Sequence, residues 1–129
     1  MFVDSTVALE PAVSTRPATI LVVDDDAEVR EIVAEFLLDS GHRVTQAEGG
    51  RQALRLLHDG LRPDLVITDV RMPEMTGLEL AERITHEHPR LKVILISGFF
   101  VSQQVERRVL RKPFRMKELA EAVETELAG

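Results

Sequence analysis

Short apolar runs recur along the chain, each closed by polar or charged residues: Ile20 to Val23, Leu65 to Ile67, Val93 to Ile96 and Val109 to Leu110, with a weaker alternating stretch around Val44. Runs of this length, rich in branched residues, read as strands buried on both faces, the pattern of a parallel sheet. They predict strands at 19–24, 43–47, 64–68, 92–97 and 108–111. Between them, apolar positions fall at helical spacing. Val29, Ile32, Val33, Phe36 and Leu37 mark a first helix stopped by Gly41, and Ala53, Leu56 and Leu57 a second. Thr76 and Glu79 form a T-x-x-E capping box opening a third over Leu78, Ala81 and Ile84. Met116, Leu119, Ala120, Val123 and Leu127 mark a helix near the end of the chain. The stretch SGFFVSQQVER, between the fourth and fifth strands, has poor amphipathic order. Its length is close to the lower limit of about 10 to 12 residues for a parallel crossover. The helix expected there, fourth in order, is therefore shortened to about two turns or less, or irregular. Alternating strands and helices predict an α/β domain with right-handed crossovers.

Composition narrows the class of protein. At 129 residues the chain is one domain's worth. Residues 1–17 carry Pro11, Pro17 and scattered small residues without sustained periodicity, and read as a flexible extension preceding a domain over 18–129. The absence of cysteine excludes a disulfide framework and thiolate metal sites and fits a reducing cytoplasm. Apolar runs of only four or five residues fall far below a membrane span, and the start lacks the basic and apolar regions of a signal peptide. A soluble cytoplasmic protein is expected. A net charge of −6, with Phe as the only aromatic, argues against direct nucleic-acid binding.

The chemistry gathers where the apolar runs stop. Asp24 and Asp25 follow ILVV, Asp69 follows LVIT, Ser97 follows VILI, and Lys112 comes just after Val109 and Leu110. In an open parallel sheet the carboxyl ends of the strands form the ligand crevice, so four strands would deliver three carboxylates, a hydroxyl and an ammonium to one place. Clustered, half-buried carboxylates destabilise one another unless a cation compensates. Three of them with backbone oxygen suit a hard divalent ion such as Mg²⁺. With the ion, Ser97 and Lys112 could each hold one oxygen of a transferring phosphoryl group, leaving Asp69 as nucleophile.

At these residues the chain resembles the receiver domain of two-component response regulators, the CheY-like family, through ILVVDD, DVRMPEMTG and LRKPF. The likeness runs from Ala18 to Leu127. It implies a flavodoxin-like, doubly wound, five-stranded parallel sheet of order 2-1-3-4-5. It further implies a phosphoacceptor signalling switch, which promotes its own aspartyl phosphorylation and dephosphorylation without being an enzyme in the ordinary sense. The phosphoryl donor would be a sensor histidine kinase or a histidine phosphotransfer protein, and the output a protein–protein contact. Carried over by position, Asp69 corresponds to the phosphoacceptor. Asp25 corresponds to a direct Mg²⁺ ligand, Asp24 to one acting through water, and Arg71 to a ligand through its backbone carbonyl, with Asp69 also in the metal set. Ser97 matches the switch hydroxyl and Lys112 the phosphate-binding lysine, whose bond to Pro113 is commonly cis in the family. Arg71 and Phe99 match positions that tune phosphoryl lifetime, and a bulky Phe99 is expected to slow hydrolysis. The family commonly carries Tyr or Phe at the place of Val109, so an aromatic rotamer switch is not expected here. With no DNA-binding or enzymatic segment after Leu127, the chain resembles a stand-alone regulator or a receiver excised from a longer protein.

Simpler readings stand beside these. Asp26 reads as an N-cap, and Met72 and Met75 as packing residues. The four histidines, His42, His58, His86 and His88, share no ligand spacing and read as surface residues. The run RRVLRKPFRMK places Arg107, Arg108, Arg111, Lys112, Arg115 and Lys117 on either a solvated face or a docking face at 107–117 for an acidic partner. Two rival functions remain. A dehalogenase-like phosphatase would use Asp24 as nucleophile and Asp26 as its partner, and a degenerate receiver would bind without accepting phosphate.

Overall fold

Each apolar run forms a strand in the computed structural model, which describes residues 17–98 and 107–129. The order along the chain is β1 (Thr19–Val23), α1 (Ala27–Asp39), β2 (Arg43–Ala47), α2 (Gly50–His58), β3 (Leu65–Asp69), α3 (Gly77–Glu87), β4 (Lys92–Ser97), β5 (Arg108–Arg111) and α4 (Met116–Ala128). The strands form one parallel sheet ordered β2-β1-β3-β4-β5, as expected. Asp69 belongs to β3 itself, one residue beyond the expected strand end, because it stays in register opposite Ile96. The expected extension up to residue 16, the expected short helix between β4 and β5, and Phe99 lie outside the described residues.

The runs are continuous because both sheet faces are covered. Ile20, Val22, Leu65, Ile67, Ile94 and Ile96 point to one side, where Val33 and Leu37 of α1 and Leu119 and Val123 of α4 pack on them. The alternate residues Leu21, Val23, Val66, Val93 and Leu95 meet Ala53 and Leu57 of α2 and Leu80 and Ile84 of α3. Strand side chains alternate between faces, so each central strand contributes to both cores. Among the described residues no helix is long and apolar enough to cross a membrane.

Three residues depart from the sequence reading. Ile32 is 54% exposed, because the buried stripe of α1 is Arg30, Val33, Ala34 and Leu37. Leu78 is also exposed: the inward stripe of α3 runs Gly77, Leu80, Ala81 and Ile84, spacings that leave Leu78 off the covered face. His42 is buried at 4% exposure, not a surface residue. Gly41, at φ 99, turns the chain after α1 and places the imidazole between the first strand's entry and α4. There His42 Nδ1 accepts the Ala18 N–H at 3.0 Å, and Nε2 lies 3.8 Å from Glu124.

Candidate functional site

In strand order 2-1-3-4-5 the connection after β1 runs to β2 and the connection after β3 runs the opposite way to β4, so a crevice opens beyond the carboxyl ends of β1 and β3. Asp24 and Asp25 follow β1 there, and Asp69 ends β3. One carboxylate oxygen from each of the three lies within 4.8 Å of the others. Such a set suits a hard divalent cation, which prefers oxygen ligands and keeps several waters. Asp24 and Asp69 are buried, whereas Asp25 is exposed.

Backbone geometry aims these side chains. The Asp24 N–H donates to Ala47 O at 3.1 Å, continuing the β1–β2 ladder one residue past the strand. The Asp24 carboxylate then turns back to accept the Asp26 N–H at 2.9 Å. Asp69 Oδ1 accepts the Val70 N–H at 3.0 Å and lies 3.6 Å from Lys112 Nζ. Burial pushes the Asp69 carboxyl above its usual 3.8, against the pull of the Lys112 ammonium and the Val70 N–H. Burial likewise raises Asp24; the Asp26 N–H opposes this, and the Asp69 charge adds to it. Two buried carboxyls held above their ordinary range within reach of a third are what a divalent cation would relieve, so the residues present fit Mg²⁺.

The other side of the crevice comes from β4 and β5. Ser97 ends β4 at 1% exposure, and its carbonyl accepts the Lys112 N–H at 2.8 Å, tying the two residues together. The Lys112–Pro113 peptide is cis, as the resemblance implied. Arg71 is exposed, two residues beyond Asp69. Val109 is half-buried in β5 opposite Leu95, packed on the core shared with α2 and α3. The basic run divides: Arg107 donates to Leu91 O and Thr85 Oγ1, and Arg108 pairs with Glu126 at 2.7 Å, while Arg111, Arg115 and Lys117 are exposed.

Close packing brings α3 to the site. The Gly77 N–H donates to Val70 O at 2.8 Å, and a Cβ at Gly77 would run into the Asp69 carbonyl. Asp26 is the N-cap of α1, accepting the N–H groups of Glu28 and Val29 at 3.0 and 3.2 Å. It is thereby engaged as a cap and not as the second acid of a dehalogenase-like pair. Sequence reading missed Arg30, which donates through Nη1 to Asp24 O at 2.7 Å and through Nε to Gln46 Oε1 at 2.9 Å. The signal was present in the helical period, because Arg30 occupies the first place of the stripe completed by Val33, Ala34 and Leu37.

A parallel doubly wound sheet with an acidic cluster, a buried hydroxyl and a lysine at its switch point is the architecture of phosphoaccepting signalling domains. The response regulator receiver domain family matches residues 20–124, and the chain belongs to it as a phosphoacceptor switch of two-component signalling. The response regulator receiver protein CpdR of Brucella abortus is 34% identical over 113 residues, which cover 81% of this chain and 92% of CpdR. The DNA-binding transcriptional regulator NtrC of Azospirillum brasilense is 38% identical over 117 residues, covering 85% of this chain and 24% of NtrC. The chain thus spans nearly all of one curated relative and about a quarter of another. Among solved structures, the response regulator TrrA of Thermotoga maritima in complex with Mg²⁺ and a beryllium fluoride superimposes with a TM-score of 0.76 at 34% identity, covering 84% of this chain and 97% of TrrA.

Proposed function

We propose that Asp69 accepts a phosphoryl group from a phosphohistidine of a sensor histidine kinase or histidine phosphotransfer protein, in a Mg²⁺-dependent step that the receiver itself promotes. The observation that carries this is the convergence of three carboxylates within 4.8 Å, with Lys112 Nζ 3.6 Å from Asp69. An Asp69 carboxylate oxygen forms a bond to phosphorus as the phosphorus–nitrogen bond of the donor breaks, giving an acyl phosphate on Asp69 and a free imidazole on the donor. Asp24, Asp25, Asp69 and the Arg71 carbonyl would hold Mg²⁺, which offsets the clustered negative charge and the charge of the phosphoryl group. The Ser97 hydroxyl donates to one phosphoryl oxygen and the Lys112 ammonium holds another, so that charge developing on the group is met by fixed donors. In-line attack by water later returns Asp69 to its free form. Arg71 and Phe99, by their family positions, govern how fast.

The signal leaves through protein contacts, with Arg111, Arg115 and Lys117 offering exposed cations to an acidic partner. Val109 takes no part as an aromatic switch. The domain extends over 18–129 behind an extension at 1–17, and the protein works in the cytoplasm without contacting nucleic acid directly.

Intact-mass spectrometry after incubation with a small acyl phosphate tests the reading. One phosphoryl adduct is expected with Mg²⁺, and none with a chelator or in Asp69→Asn. An adduct that persists on the Asn variant would remove Asp69 from the scheme, and no adduct under any condition would leave a receiver that only binds.

A further inference from the structure

Behind the acidic cluster lies a buried cation that phosphoryl transfer does not use. Arg30 is only 9% exposed, and the ion pairs among the described residues do not include it. A guanidinium is seldom buried without a carboxylate partner. Here its acceptors are the Asp24 carbonyl, at 2.7 Å, and the Gln46 side chain on β2, at 2.9 Å. The first is a short, charge-assisted bond to a neutral acceptor.

That carbonyl belongs to the peptide unit joining Asp24 to Asp25. Rotation of this one plane changes the direction in which the Asp25 side chain leaves the chain relative to that of Asp24. Every other polar group of Asp24 is also held from outside the residue: its N–H by Ala47 O and its carboxylate by the Asp26 N–H. Arg30 supplies the remaining restraint, and Gln46 fixes the guanidinium that supplies it. We propose that Arg30 is a positioning residue for the cation site, locking the Asp24–Asp25 peptide plane so that both carboxylates converge with Asp69 on one ion. This rests on the Mg²⁺ reading of the acidic cluster.

The sign of the effect separates positioning from simple electrostatics. Through space, a fixed positive charge near the cluster opposes a divalent cation, so on Coulomb grounds alone its removal should tighten Mg²⁺ binding. Loss of a restraint should loosen it. A role confined to stability would lower the melting temperature and leave the affinity of the folded protein unchanged.

Titration of the full chain with MgCl₂, followed by amide chemical shifts under conditions where the spectrum shows each variant folded, reads the affinity directly. Arg30→Met should bind Mg²⁺ about tenfold more weakly, the scale of losses when groups supporting metal ligands are removed. Arg30→Lys should recover part of the affinity, because an ammonium can reach the carbonyl but cannot also be fixed by Gln46 in the same fork. Gln46→Leu changes no formal charge and lies on an exposed position of β2; it should weaken binding by a smaller factor. The double variant should be no weaker than Arg30→Met, since Gln46 acts through Arg30. Unchanged or tighter binding in folded Arg30→Met overturns the proposal. If Arg30→Met does not fold, Gln46→Leu decides, and wild-type affinity there overturns it. A wild-type protein whose amides do not respond to Mg²⁺ would instead overturn the cation site, and the positioning role with it.

Discussion

At the scale of single residues, the candidate site was legible because chemistry and position coincide. Asp24, Asp25, Asp69 and Ser97 each stand directly at the end of an apolar run, and a strand end in a parallel sheet is where ligands bind. His42 was not legible, since its burial depends on Ala18, twenty-four residues away in sequence, and on Glu124 in the last helix. Burial lowers the His42 pKa below its usual 6.5, with Glu124 pulling the other way. Its Nδ1 acts as an acceptor, which requires the neutral ring. The folded state thus disfavours the imidazolium, and the unfolded chain takes up the proton first as the pH falls through 6.5. Stability held above that pH is lost below it, by at most about 1.4 kcal/mol per pH unit. Urea unfolding between about pH 7.5 and about pH 5.5 should show the wild type losing stability relative to His42→Asn, whose side chain accepts a hydrogen bond without titrating. A constant difference across that range would mean that His42 does not titrate differently in the two states.

At the scale of elements, helix starts were easier to read than helix faces. The Thr76–Glu79 box forms both of its bonds, Thr76 N–H to Glu79 at 2.9 Å and Glu79 N–H to Thr76 at 3.1 Å, and Asp26 caps α1 as expected. Caps are local: a few adjacent residues contain all of their partners. Which face a helix buries depends on the sheet beneath it, so Ile32 and Leu78 were assigned inward on pattern alone, while Arg30 went unnoticed in the buried stripe. Two substitutions separate a cap from a close approach. Asp26→Ala should cost about 1 kcal/mol by loss of the cap and leave phosphoryl uptake near the wild-type rate. Gly77→Ala places a methyl against the Asp69 backbone, so thermal stability and uptake should fall together. Chemical denaturation paired with intact-mass time courses measures both quantities, and normal uptake in Gly77→Ala would show that the loop beside Asp69 yields without moving the carboxylate.

At the scale of the whole molecule, the sheet is buried on both sides, and adjacent residues of one strand serve different cores. Ile20 packs with α1 and α4, while Leu21 packs on the side of α2 and α3; both are fully buried. Ile20→Ala and Leu21→Ala should therefore each cost about 2 to 5 kcal/mol in equilibrium unfolding, where a half-exposed sheet would give one large and one small value. The sequence by itself determined the number of strands, their parallel character, the helices near their ends and the residue types at the strand ends. These follow from hydrophobic period and from side chains acting on immediate neighbours, which are properties of short stretches. Only the tertiary structure decided that carboxylates from separate strands stand within 4.8 Å, that Lys112 reaches Asp69, that His42 is enclosed and that a buried arginine braces Asp24 from behind. The first three depend on the distance between residues far apart in the chain, and the last on how α1 seats against the end of β1 and Gln46 of β2. That distance is set by strand register and by how helices seat on the sheet, and neither is encoded in any single segment.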